Sequence, residues 1–459
     1  MTTRETLYSR LTNYLEQPIS IAPLVTFRMA FGTAMLFSTI RYVYMGWVDT
    51  QLVDPILHFS YFGFDWVEPL PRVGMYIIFG IMALACIGII FGGFYRFSAA
   101  VFFLCFSYVE LIDITYYLNH YYFVSIVSFL MIWVPANRHF SLDLIRNPRI
   151  QQKTVNRWCI DIFKLQIAIV YVFAGLAKLN YDWLFRALPL SIWLPAKTSV
   201  PIIGGIFKYK ATAYLFSWIG MLFDTFIVIG LLIKQTRWLA FIAVVIFHSL
   251  TGILFQIGVF PIVMILGVPI FFSASFHEKV IAFLAGLFNS PKLSDGVPPL
   301  PKVQPTHKLV FPFLIIFFLF QLVFPWRYVL YPGNLFWTEE GYRFSWRVML
   351  MEKAGTATFY VKDGENGREG SVINHQFLNS HQEKQMAMQP DLILQYAHYL
   401  KDHYAREGME DPRVRAEVWV TLNARPAKLL IDPEVDLTTK TDNWSSKDWI
   451  LPFSETKDK

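Results

Sequence analysis

Charge is scarce in this chain of 459 residues: Asp, Glu, Lys and Arg make up 16%, against 55% hydrophobic residues. Cysteine is scarcer still. Cys86, Cys105 and Cys159 are the three present, all in or beside apolar runs and without CxxC spacing. Neither a disulfide framework nor a zinc site is indicated. The chain also lacks an internal repeat, a glycine-rich phosphate loop and an HExxH pattern, so the chemistry those motifs carry is set aside and no metal is implied. The formal charge of +6 is small, and its basic residues crowd particular loops. That distribution reads as membrane topology, with no nucleic-acid partner. The N-terminus, MTTRETLYSRLTNYLEQPIS, lacks the charged-then-apolar layout of a cleaved signal peptide. The first membrane helix is therefore expected to serve as its own insertion signal.

What the chain has is apolar sequence in long runs, with a mean hydropathy of +0.40. Runs of this kind exclude a single soluble domain and predict a polytopic α-helical membrane protein. Apolar segments lie at about 24–45, 73–92, 98–114, 120–135, 160–180, 213–233, 237–256, 257–273 and 309–325. That predicts about nine transmembrane helices, the third, fourth and eighth of them short. Arg96, the Asn137–Arg157 connection, Lys234, Arg237 and the lysines between Phe276 and Lys308 fall on one face if the N-terminus (residues 1–23) is cytoplasmic. The Gly46–Arg72 loop is acidic instead, and the Arg186–Lys210 loop fits this scheme least well. Nine spans place the C-terminal part outside. Leu293–Pro305 reads as a proline-rich linker before the last span of a membrane domain over 24–325.

Residues 326–459 are more polar and predict a β-rich α+β exoplasmic domain. Phe344–Val361 reads as strands, with turn signals at Asp363-Gly364 and Asn366-Gly367. Leu392, Ile393, Tyr396, Ala397, Leu400 and Tyr404 mark one face of a helix. Val414, Ala416, Val418, Val420 and Leu422 alternate with polar neighbours as a half-buried strand.

Polar groups at membrane depth require an explanation. Lys178 sits at the end of VYVFAGLAKLNYDW (Val170–Trp183). It either snorkels to the interface or pairs with Asp182, or it acts as a desolvated base, since lysine is the cation that most readily gives up its proton. Asn119-His120, between the third and fourth spans, reads as a helix cap and a packing histidine, or as a site. His248 and Gln256, in FHSLTGILFQIGVF, read as interhelical hydrogen-bonding groups or as site residues. Together these groups suggest a chamber opening outward. It suits a lipid-borne cofactor entering sideways and a polar substrate from outside, and equally a lipid-binding or transport protein.

The chain resembles the vitamin K-dependent gamma-carboxylases and their bacterial relatives, which share the HTTM membrane domain. The likeness runs collinearly through PLVTFRMAFG (Pro23–Gly32), FGGFYRFS (Phe91–Ser98), NHYYF (Asn119–Phe123), ANRHFSLD (Ala136–Asp143), the Lys178 segment and FHSLTGILFQIGVFPIVMI (Phe247–Ile265). It continues in GYRFSW (Gly341–Trp346), VWVTLNARP (Val418–Pro426) and IDPEVDL (Ile431–Leu437). The resemblance implies a gamma-glutamyl carboxylase of the carbon-carbon lyase class. Its cofactor would be reduced vitamin K (phylloquinol or menaquinol), with O2 and CO2 as co-substrates and a glutamate-containing peptide or protein as partner. A base is needed because the γ-proton of a carboxylate is too weakly acidic for any side chain to remove at neutral pH.

In this family's terms Lys178 is the free amine that deprotonates the hydroquinone. His120 and Asn119 hydrogen-bond the cofactor or the developing carbanion, while His248 and Gln256 line the cofactor site. Tyr342, Ser345 and Trp346 fall in the segment associated with glutamate recognition, or pin the outer domain to the membrane. A close Asp182 would oppose a free amine, so Asp182 is expected to turn away. The departures fall mainly on the substrate side. Ala177-Lys178 stands where the animal enzymes have two lysines, and no cysteine pair joins the loop near Tyr61–Asp65 to the helix around Ala397–His403. No arginine occurs in Ser380–Lys384, and Trp326-Arg327 replaces a histidine. An epoxidising relative with another substrate, or a non-catalytic quinone binder, stays open.

Overall fold

The computed structural model describes residues 7–255, 257–287 and 310–454. The Leu293–Pro305 linker and Gln256 lie outside the described residues. An amphipathic helix α1 (Leu7–Leu15) precedes strand β1 (Pro18–Ser20), which pairs antiparallel with β2 (Thr154–Asn156).

Among the described residues, seven helices are long and apolar enough to cross a membrane. Six are α2 (Ala22–Tyr44), α3 (Arg72–Phe91), α4 (Tyr95–Ile112), α6 (Trp158–Ala177), α7 (Lys210–Leu232) and α8 (Arg237–Leu254), and the seventh is the segment Val310–Leu330, which opens with α11 (Val310–Val323). Two of the nine expected spans differ. The 120–135 segment is α5 (Asn119–Trp133), whose 15 residues at 1.5 Å each fall short of a hydrocarbon core roughly 30 Å thick. The 257–273 segment is α9 (Phe260–Gly267) with a 3-10 extension to Phe271, bent by 117° against α10 (Ala274–Leu287). The chain turns extended at Phe272, between the two helices, so the pair is a broken span or a re-entrant loop and not one straight helix.

The end of the bundle around β1 and β2 is organised by a buried arginine. Arg28, fully enclosed in α2, donates to the carbonyls of Ala136 (3.1 Å) and Phe140 (2.8 Å). Asp143 accepts from the amides of Phe94 (2.8 Å) and Tyr95 (3.1 Å), satisfying the free N–H groups that open α4. Gly92 closes α3 at φ +62°, and a Cβ there would stand 2.0 Å from Arg28 Nη1. Arg28, Gly92 and Asp143 thus come from three separate family-like segments and form one interlocked joint.

The C-terminal part carries a four-stranded antiparallel sheet, ordered β4 (Glu369–Ser371), β3 (Lys353–Lys362), β5 (Arg413–Leu422), β6 (Lys428–Leu429). The alternation expected in β5 is present, with Val414, Ala416, Val418, Val420 and Leu422 buried beneath α12 (Pro390–Arg406). The stretch Phe344–Met351, expected as strand, is irregular. Phe344, Trp346 and Met349 hold φ of +59°, +58° and +55°, a left-handed conformation no extended strand contains. The core of this region also takes in Phe59, Tyr61 and Ile114 from the loops following α2 and α4. Gln395 exchanges two hydrogen bonds with the backbone of Ser60, at 3.0 and 3.1 Å. Gln382 donates to Leu57 O (2.7 Å) and Asp113 (2.8 Å). Amide side chains therefore fasten the first loop to α12 and to the short helix Ser380–Met386 before it, where a cysteine pair is lacking.

Candidate functional site

Lys178 follows the last turn of α6 and is buried. Its Nζ donates to Asp224 Oδ2 at 2.7 Å and to Ala174 O at 3.2 Å. Asp224 lies midway along α7, and Trp183 places its ring 5.3 Å from the ammonium. Asp182 turns away: it receives Arg425 at 2.7 Å on both carboxylate oxygens and Asn423 at 2.8 Å. Burial pushes the Asp182 carboxyl up, but the bonds from Arg425 and Asn423 outweigh it and hold the group below the usual carboxylate range. The Lys178 segment and VWVTLNARP are thereby docked on each other through Asp182.

The partner of Lys178 is thus Asp224, which the sequence reading passed over. Its signal was present, since a lone carboxylate within LFSWIGMLFDTFIVIG is rare at membrane depth. The two side chains are 7% and 8% exposed, so each charge depends on the other. Lys178 is half of a dyad, and the solitary amine expected from sequence is corrected on this point.

The dyad lines a cavity of about 90 Å3 with mostly apolar walls, among them Trp183, Phe216, Phe247, Phe255 and Phe260. His248, also in that wall, bonds Tyr171 OH through Nε2 at 2.8 Å, and among the described residues its Nδ1 has no partner. Ordinary ligand pockets measure roughly 300–1,000 Å3, so this chamber is small for a fused ring. Met264 and Met349 in its lining are the unbranched side chains best able to yield to a ring.

A second chamber, about 390 Å3, adjoins the first; Ile257, Phe260, Val348 and Met349 line both. It holds Asn119, His120 and Tyr342 together with Arg343, Arg347 and Lys353. His120 is buried against Phe260, and among the described residues its Nε2 has no partner. Asn119 does not cap α5, whose N-cap is Leu118. Its amide instead donates to Arg347 O at 2.8 Å and accepts from Tyr117 OH at 3.0 Å. Ser345 is engaged by Arg327 (3.1 Å) and Gly341 O (2.6 Å). Trp346 is fully enclosed and stacks on Tyr122 at 4.9 Å. The two chambers therefore bring together Lys178, His248, Asn119, His120 and Tyr342, while Ser345 and Trp346 brace the segment behind them. Gln256 lies outside the described residues. Among the described residues no group of three or more His, Cys, Asp or Glu side chains could hold a metal ion.

Residues 16–276 match the family model of the HTTM domain. Residues 306–456 match that of the vitamin K-dependent gamma-carboxylase lumenal domain. No solved structure matches the chain. With both models met in order along the chain, and more than half of it under the first, the protein belongs to the vitamin K-dependent gamma-carboxylase family of HTTM-domain proteins.

Proposed function

We propose that this protein is a membrane-embedded gamma-glutamyl carboxylase that couples oxygenation of reduced vitamin K to carboxylation of glutamate side chains. The observation that carries the reading is the buried Lys178–Asp224 dyad in the wall of an aromatic cavity backing onto a polar chamber. Aromatic walls suit a fused ring, and two polar poles, the dyad and the His248–Tyr171 pair, suit its two oxygens. When bound, reduced vitamin K supplies, through its reaction with O2, the strong base that no side chain can provide.

This chain's residues do the rest. The dyad is neutral overall before reaction, as ammonium and carboxylate or as amine and acid. It takes up the hydroquinone proton and then carries one positive charge where negative charge develops. His120 faces the second chamber and hydrogen-bonds the cofactor oxygens or the carbanion, and Asn119 holds the Arg347 backbone in place. Tyr342 lines the glutamate side, and the mostly apolar walls limit the access of water to the base.

In this reading the membrane domain spans residues 24–325 and the exoplasmic domain 326–459, with a cytoplasmic N-terminus, so a protein substrate arrives from outside and the quinone from the lipid. The test is purified protein in detergent with reduced vitamin K, O2, a glutamate peptide and labelled bicarbonate. Epoxide together with label in the peptide is expected. Epoxide without label assigns another substrate, and neither product from folded protein moves the chain to quinone binding or transport. Lys178→Ala is expected to abolish both products. Lys178→Arg separates the two forms of the dyad, because arginine keeps the ion pair but cannot become a free base at working pH: loss of both products assigns the proton to the Lys178 amine, and retention assigns it to Asp224.

A further inference from the structure

The second chamber contains one buried cation that no described carboxylate neutralises. Of its basic residues, Arg343 pairs with Asp391 and Lys353 with Glu339 at 2.8 Å, while Lys384 is exposed. Glu352, the other acid in the lining, accepts from Trp193 Nε1. Arg347 is only 9% exposed, and among the described residues it makes no ion pair and its Nε has no partner. Its guanidinium lies over the Tyr328 ring at 4.3 Å, where Arg347 also borders a neighbouring cavity of about 470 Å3, and its main chain is fixed by Asn119 at 2.8 Å. A buried guanidinium held in place from both ends but lacking an anion is a receptor for one. Met349, two residues on, is in the wall shared with the Lys178 chamber.

We infer that Arg347 is the carboxylate-binding residue of the second chamber and takes the side-chain carboxylate of an incoming glutamyl residue. This rests on the carboxylase reading for the identity of the substrate, though not for the binding itself. A planar fork suits a carboxylate bidentately, which fixes both its position and its orientation. It also offsets the charge already on the substrate, which would otherwise repel the charge generated at the neighbouring carbon. Asn119 is then a positioning residue that acts through the Arg347 backbone.

The experiment measures binding of two short labelled peptides to the purified full-length protein in detergent, identical except for glutamate or its uncharged isostere glutamine. No quinone, oxygen or bicarbonate is added, so the result stands even if the protein forms no epoxide. The wild type is expected to prefer the glutamate peptide by roughly 10- to 100-fold, the range for hydrogen bonds to a charged group. Arg347→Gln should erase that preference and leave the glutamine peptide binding as before, which also shows that the variant is folded. If Arg347→Gln binds neither peptide, Arg347→Lys decides: a reduced preference supports the assignment and an undiminished one overturns it. A wild type that does not distinguish the peptides, or an Arg347→Gln protein that still does, also overturns it.

Discussion

Removing one member of the Lys178–Asp224 dyad is the sharpest perturbation the structure offers. The contact is 2.7 Å and both side chains are almost wholly enclosed. Lys178→Met strands the Asp224 carboxylate in an apolar wall, and Asp224→Leu strands the ammonium. Breaking a buried pair from one side costs about 3–5 kcal/mol, whereas replacing both partners by apolar residues of similar volume is often neutral or stabilising. Each single variant should therefore lower the thermal unfolding midpoint in detergent, and Lys178→Met/Asp224→Leu should recover it. The activity arm uses Asp224→Asn, which keeps an acceptor near Nζ and removes the charge. If the dyad takes the hydroquinone proton as a unit, epoxide formation falls by about 10²–10⁴, the usual contribution of a positioned acid or base. A lone lysine base would gain from losing its counter-charge, and the rate would hold or rise. An Asp224→Asn enzyme at or above wild-type rate refutes the dyad, and a double variant no more stable than Lys178→Met refutes the buried-pair energetics.

Gly92→Ala should destabilise the fold by about 2–3 kcal/mol or more, since its Cβ would meet Arg28 Nη1 at 2.0 Å on a backbone with φ +62°; a wild-type unfolding midpoint would show that the Arg28 joint can yield. Asp182 has its carboxyl held low in the fold, so its contribution to stability is present above the unfolded value of about 4 and is lost as pH falls through the folded value. Acid unfolding followed by near-UV circular dichroism should accordingly be less steep below about pH 4 for Asp182→Asn, and an unchanged acid limb would remove Asp182 from the docking contact. Gln395→Ala should loosen the loop carrying Ser60, read as faster amide hydrogen exchange there; unchanged protection would show that the apolar contacts of Phe59 and Tyr61 suffice alone.

Much of the fold was legible because its elements are periodic over ten or more residues. The α12 face and the β5 alternation depend on local spacing and are both present in the fold. The errors sit where tertiary context overrides hydropathy. Residues 257–273 are apolar enough to span, but the chain breaks at Phe272 and turns by 117° into α10, and Phe344–Met351 has strand-forming residues of which Phe344, Trp346 and Met349 hold left-handed conformations. In the site, Lys178 and His120 could be found because charge and imidazole are conspicuous among apolar neighbours. Asp224 was equally conspicuous but needed a partner 46 residues away, which no local pattern supplies. Arg347 carried no signal, since an arginine at the edge of a polar domain is unremarkable until its missing counter-ion is seen.

The Arg28 joint bears on how unassigned sequences of this kind should be sorted. Helix α6 starts at the end of the bundle where Arg28, Gly92 and Asp143 interlock, and its 20 residues separate that end from Lys178 by about 30 Å. The three family-like segments that carry Arg28, Gly92 and Asp143 are thus keystones of architecture, holding helices together far from Lys178. A sequence can keep every one of them and have lost its chemistry, just as a vault stands after the room beneath it changes use. On the proposed reading, sorting catalysts from their inert cousins then turns on two positions, a lysine just after one helix and an aspartate in the middle of the next long one.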